Sequence, residues 1–152
     1  MKGRRNRKQA VANAGLYYVG YELSKRGWNV LPTTRNARGP DLIIYSQDAD
    51  IKLAVQVKAL STRTTVILGD SVNRTEDFLI VCILTDTGTT PEVFILPGDQ
   101  VWPVSKLGTL AHRSETKGGG ETYWITYKDY KRFRDRWGPL EGTSRDLDYK
   151  SQ

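Results

Sequence analysis

Three side chains between residues 39 and 58 have types and spacing that could do chemistry together: Asp41, Gln56 and Lys58. Asp41 opens the apolar run Leu42-Ile43-Ile44-Tyr45, and Gln56 and Lys58 lie two apart inside Leu53-Ala54-Val55-Gln56-Val57-Lys58. Side chains two apart on a strand point the same way. Gln56 and Lys58 therefore share one face, and Leu53, Val55 and Val57 take the other. A strand that can bury its second face has no packing reason to place an amide and an ammonium together there. Hydrolysis of a phosphodiester needs an activated water, neutralised charge at the phosphate and a stabilised leaving oxygen. A divalent cation held by an aspartate can supply all three. Magnesium takes hard oxygen ligands and keeps several waters, so Asp41, the Gln56 side-chain oxygen and the Val57 main-chain carbonyl form a candidate set. Lys58 would orient or help deprotonate the water, or neutralise the phosphate.

These residues must be positioned by a hairpin. Residues 41–46 and 51–59 read as strands, and Gln47-Asp48-Ala49-Asp50 is a tight polar connection. So close a connection predicts antiparallel pairing, which brings Asp41 toward Gln56 and Lys58. Upstream, Ala12, Leu16, Val19 and Leu23 form a helical stripe over residues 9–26. Tyr17, Tyr18 and Tyr21 widen its buried side, Glu22 at the flank either approaches the site or, the favoured reading, is solvated, and Gly27 is a C-cap. Residues 28–31 read as a short strand, followed by a loop carrying Arg35 and Arg38. Downstream, strands are predicted at 65–68, 78–84 and 92–96, the middle one an apolar run typical of a central position. Pro97-Gly98-Asp99 starts a short helix or turn. Residues 113–122, with Gly118-Gly119-Gly120, read as a mobile loop, 123–126 as a strand, and 128–137 as a helix with Tyr130, Phe133 and Trp137 on one side. The organisation expected is a disordered basic arm (1–8), one domain (9–140) and a disordered tail (141–152).

Pro40-Asp41 followed by Gln56-Val57-Lys58 resembles the PD-(D/E)XK nuclease superfamily, in the variant where glutamine replaces the second acid. The preceding helix and the entry Lys25-Arg26-Gly27-Trp28-Asn29-Val30 are similar to the same group, which includes small restriction-type and intron-associated endonucleases and archaeal Holliday-junction resolvases. The resemblance covers roughly residues 15–84 well and the tail more loosely. It implies an α/β, restriction-endonuclease-like core with a mixed β-sheet flanked by helices. It also implies a requirement for Mg2+ or Mn2+, and DNA, duplex or branched, as substrate. Many such enzymes act as homodimers because a duplex needs two cuts, and the tyrosine-rich helix offers an interface. Members often carry an acid on the first helix; counting back from Gly27 reaches Leu16 here. With Gln56 in place of the second acid, Asp41 is the one carboxylate of the expected set.

The formal net charge is +6, and it is concentrated at the front. Lys2, Arg4, Arg5, Arg7, Lys8, Lys25, Arg26, Arg35 and Arg38 face a single acid, Glu22, within residues 1–38. Such a patch suits a polyanion whose counterions it can release, so Arg4, Arg5, Arg7, Lys8, Arg35 and Arg38 are the expected phosphate contacts. One cysteine, Cys82, excludes an internal disulfide framework, and with one histidine, His112, a structural zinc site is excluded too. No run approaches the ~20 apolar residues of a membrane span, and no apolar signal region follows the basic N-terminus; the expectation is a cytoplasmic protein. Two other readings remain open: a nuclease fold that binds nucleic acid without cutting it, and an accessory scaffold for a protein partner.

Overall fold

A computed structural model describes residues 2–34, 39–70, 74–86 and 88–141, with side chains from residue 7 onward. The chain forms helix α1 (Lys2–Lys25), then strands β1 (Asn29–Pro32), β2 (Leu42–Tyr45), β3 (Lys52–Leu60), β4 (Val66–Gly69), β5 (Phe78–Ile83) and β6 (Glu92–Pro97). A single turn of helix, α2 (Gly98–Val101), precedes β7 (His112–Glu115) and β8 (Glu121–Ile125), and another turn, α3 (Tyr127–Tyr130), runs into 3-10 segments at Lys131–Phe133 and Gly138–Leu140. The architecture is mixed α/β. A five-stranded sheet has the order β1-β2-β3-β5-β6, and a three-stranded sheet has the order β4-β8-β7. Only β3 and β5 pair in parallel in the larger sheet; β1–β2, β2–β3 and β5–β6 are antiparallel.

Alternation along the central strands divides the interior into two cores. Phe78, Ile80 and Cys82 of β5, with Val93 and Ile95 of β6 and Val55 and Val57 of β3, pack under Val19 and Leu23 of α1. Leu79, Val81 and Ile83, with Phe94 and Leu96, face the other way and meet Val66, Leu68, Tyr123 and Ile125 of the smaller sheet, together with Tyr130 and Phe133. All six residues of β5 are buried; at about 25 cal/mol per Å² of apolar surface removed from water, such a strand anchors both layers. α1 lies close on β3 because residue 15 is glycine: a Cβ there would come within 2.4 Å of the Ala59 Cβ. Among the described residues, no helix is long and apolar enough to cross a membrane.

The two hairpin strands, the short strands at β1 and β4, the central strand and β6 form where expected, and Gly27 closes α1 in the left-handed region (φ 89°). Other expectations are corrected. Helix α1 begins at Lys2 rather than residue 9, so the backbone of the basic arm is helical. Tyr17 and Tyr21 are exposed (68% and 58%) instead of widening the core, and Tyr18 alone packs against it. Residues 113–122 are not a loop. The glycines turn a β-hairpin, in which Thr116 N–H donates to Gly120 O at 2.7 Å and Gly119 takes a positive φ. Residues 128–137 do not form one helix, because the three aromatics serve different cores: Tyr130 and Phe133 join the smaller-sheet side and Trp137 the α1 side. The chain breaks between them, with Phe94 and Arg134 bridged and Asp135 at φ 52°. The tail beyond residue 141 and the loop residues Arg35 and Arg38 lie outside the described residues.

Candidate active site

The β2–β3 register pairs Leu42 with Val55, which leaves Asp41, one residue earlier, beside Gln56. Gln56 Nε2 donates to Asp41 Oδ2 at 2.7 Å, and the Val57 main-chain N–H donates to the same oxygen at 2.9 Å. The Asp41 N–H in turn donates to Val55 O at 3.0 Å, so the acid is held at both backbone and side chain. Lys58 stands two residues after Gln56 on the same face of β3 and is partly buried. Burial lifts the Asp41 carboxyl above its ordinary value, against the pull of the Val57 N–H and the Lys58 and Arg74 charges. Burial, joined by the Arg74 charge, pushes the Lys58 ammonium below the ordinary lysine value, against Asp41 and Glu76. Both groups are thus drawn toward the range in which protons are exchanged near neutrality.

Two further residues complete the constellation, and nothing in the hairpin pattern announced them. Arg74 Nη2 donates to Gln56 Oε1 at 2.6 Å and to Glu76 Oε1, and Arg74 Nε donates to that same Glu76 oxygen at 2.9 Å. The Glu76 side chain is only 4% exposed, and its second oxygen, Oε2, is buried without a hydrogen-bond partner. Burial opposes the Glu76 charge, but the Arg74 contact and the main-chain N–H groups of Glu76 and Thr75 outweigh it and hold the carboxyl below its usual range. Parallel pairing is what gathers these groups: Val55 aligns with Phe78 and Gln56 with Leu79, so the residues just before β5 arrive beside the N-terminal half of β3, next to Gln56. The Arg74 guanidinium also lies 5.4 Å from the Trp102 ring centre, within range of a cation–π attraction.

Neither a protein family nor a curated protein matches this chain. Among solved structures, it is similar to a bacterial homing endonuclease, I-Ssp6803I, at 16% identity and a TM-score of 0.56. The likeness covers 93% of this chain and 96% of the other. The fold is similar to that of a homing endonuclease.

On this endonuclease-like fold, Asp41, Gln56, Val57 and Lys58 gather as expected from their spacing, although Val57 presents its N–H to Asp41. Asp41 and Val57 also line a cavity of about 180 Å³ against α1, whose polar wall is Gln9 and Asn13 beside Leu16. Gln9 Nε2 donates to Asn13 Oδ1 at 3.3 Å. The helix positions nearest Asp41 therefore include two amides, and counting back to Leu16 passed over them. Glu22 takes no part, and it is not solvated as expected: its side chain is only 12% exposed and pairs with Arg26 at 2.6 Å and Lys25 at 3.5 Å. Arg7 and Lys8 line a neighbouring cavity of about 580 Å³ with Ser61, Thr62 and Thr64; Ala59 borders this cavity and the one beside Asp41. Arg4 and Arg5 belong to the first turns of α1, and their side chains lie outside the described residues, as do Arg35 and Arg38. The Gly118–Gly120 turn joins β7 and β8 of the smaller sheet, and the basic residues after Lys128 lie on the 3-10 segments after α3 and the chain between them, outside the strands that carry this cluster.

Donors at the site are oxygens. Among the described residues there is no group of three or more His, Cys, Asp or Glu side chains that could hold a metal ion; the oxygens at this site are those of Asp41, Glu76 and the Gln56 amide. Such a set fits a hard cation that retains water, and not zinc.

Proposed function

We propose that this protein is a metal-dependent DNA endonuclease of the PD-(D/E)XK type, in which Asp41 and Gln56, with the Val57 carbonyl, hold Mg2+ or Mn2+ and Lys58 acts on the attacking water. The observation that carries the reading is the hydrogen-bonded cluster of Asp41, Gln56 and Val57 with Lys58 beside it on one face of β3. The fold likeness to a homing endonuclease supports it. A bound divalent cation would supply charge neutralisation at the phosphate. The chain's own groups do the rest. Val57 N–H fixes the Asp41 carboxylate in one orientation. Lys58, with its pKa lowered by burial, can take a proton from the water at Nζ or return one to the leaving oxygen. Arg7 and Lys8, on the first turns of α1, lie over the end of β3 and would grip flanking phosphates, with Arg4, Arg5, Arg35 and Arg38 extending the track. Two copies would be needed to cut both strands of a duplex, and the exposed Tyr17 and Tyr21 give α1 an apolar surface for pairing.

One observation favours a second reading, binding without cleavage: the Gln56 oxygen is engaged by Arg74, and its amide nitrogen faces Asp41. The deciding experiment is incubation of labelled duplex, single-stranded, flap and four-way-junction DNA with the protein and Mg2+ or Mn2+, beside Lys58→Ala. Cutting by the wild type alone establishes the endonuclease. DNA that is retarded but uncut supports the binding reading, and no retardation defeats both.

A further inference from the structure

One nitrogen of Arg74 sits between two oxygens from separate segments, Gln56 Oε1 in the middle of β3 and Glu76 Oε1 in the connection just before β5. A positive charge flanked by an amide oxygen and a carboxylate oxygen occupies the kind of position a divalent cation takes among hard ligands. Glu76 is the more telling partner. Arg74 engages only one of its oxygens, and the other is buried with no side-chain partner, the main-chain N–H groups of Thr75 and Glu76 being the other groups that act on the carboxyl. Leaving a buried carboxylate oxygen unmatched is costly, and the arrangement is satisfied when a second positive ligand, or a larger charge, replaces the guanidinium. Arg74 has somewhere to go: its side chain is 20% exposed, and a cavity of about 400 Å³ opens beside it, lined by Arg74, Glu76, Asp77, Asp99 and Trp102. Guanidinium groups pair readily with phosphate.

We propose that Arg74 is a built-in placeholder for a divalent cation and that Glu76, not foreseen from the hairpin, is the second carboxylate of the metal site. In the free protein Arg74 neutralises Glu76 and holds the Gln56 amide with its oxygen away from Asp41. When Arg74 transfers to a phosphate of the substrate, Glu76 and the Gln56 oxygen are released to the cation next to Asp41. The site thus regains the negative charge that glutamine at position 56 does not provide, and acquires it only when a phosphate is present. This deepens the endonuclease reading and rests on its cation site.

The test is calorimetric titration of the DNA-free protein, residues 1–152, with Mn2+ alone. Removing the guanidinium that holds the cation's place takes a competing positive charge out of the site, so Arg74→Met should bind Mn2+ at least about tenfold more tightly than wild type. Adding Glu76→Gln should abolish that gain. Arg74→Gln, which keeps an amide donor for Glu76, is the companion variant should Arg74→Met unfold, and the double variant removes both charges together. Unchanged or weaker Mn2+ binding in both single variants overturns the inference. So does a gain that survives Glu76→Gln, because charge removal alone would then explain it. Failure of the endonuclease reading shows elsewhere: the Mn2+ pattern would hold while no DNA in the cleavage panel is cut.

Discussion

Strands β3 and β5 run side by side, parallel and in register, with Gln56 beside Leu79 and Lys58 beside Val81. Toward α1 they are alike, lining one core with valine, phenylalanine, isoleucine and cysteine. On the opposite face they diverge. β5 continues with Leu79, Val81 and Ile83 into the second core, whereas β3 places an amide and an ammonium there, the amide hydrogen-bonded to Asp41 and Arg74. The fold can evidently bury this face, since its neighbour does. Polar groups that are buried need partners, and each left unmatched costs roughly 1–3 kcal/mol. The contrast teaches that packing does not account for Gln56 and Lys58 on that face, as the proposed endonuclease chemistry would require.

The comparison can be broken by exchanging the character of the two strands. Lys58→Met gives β3 what β5 has. Cleavage should fall by about 10²–10⁴-fold, the range for a lost acid–base group, while the thermal midpoint holds or rises; single-turnover assays beside thermal unfolding measure both. A folded Lys58→Met protein that still cuts would remove Lys58 from the chemistry. The reciprocal change, Leu79→Ala, opens a cavity in the second core and should cost about 2–5 kcal/mol in urea unfolding, with the rate per folded molecule preserved. A small stability loss there would mean that β5 is not the anchor its burial implies.

Gly15→Ala tests what brings α1 against β3 at Ala59. Overpacking should cost about 1–3 kcal/mol, and Ala59→Gly in the same chain should recover part of it; no recovery would locate the strain elsewhere. The smallest effect belongs to a control remote from both strands. Asp129 accepts from the Thr126 N–H and hydroxyl at 2.7 Å each and meets His112 Nε2 at 2.8 Å. Burial pushes its carboxyl up, but these donors outweigh burial and hold it below its ordinary value. Its stabilisation is therefore complete above the unfolded carboxylate value and is lost as pH falls through the lower folded value. Asp129→Asn should cost about 1 kcal/mol near neutral pH, as for a lost cap, and the gap to wild type should close in acid with cleavage unaffected.

Asp41, Gln56 and Lys58 were legible because strand periodicity is local: an apolar run, a tight turn and a second run constrain which side chains share a face. Arg74 and Glu76 were not, because they reach the site through the crossover into β5 and its parallel register with β3, which no window of sequence records. Gln9 and Asn13 were passed over because helical position was counted from Gly27 and not from the close approach at Gly15. Tyr130, Phe133 and Trp137 have helical spacing, yet they separate into two cores, and packing there overrode the local pattern. The glycine run reads as a loop in sequence because turn residues look the same whether or not strands flank them, and only the β7–β8 pairing makes it a hairpin turn.

By itself, then, the sequence determined the hairpin and its polar face, the buried central strand and the basic front end, each a consequence of short-range alternation or composition. Tertiary structure alone decided which residues stand around Asp41: the β3–β5 pairing delivers Arg74 and Glu76, and the glycine at position 15 admits α1 with its amides. Charges and hydrogen-bond partners at a site depend on distances of a few ångströms between segments far apart in the chain, and such distances are set by packing, not by neighbours in sequence.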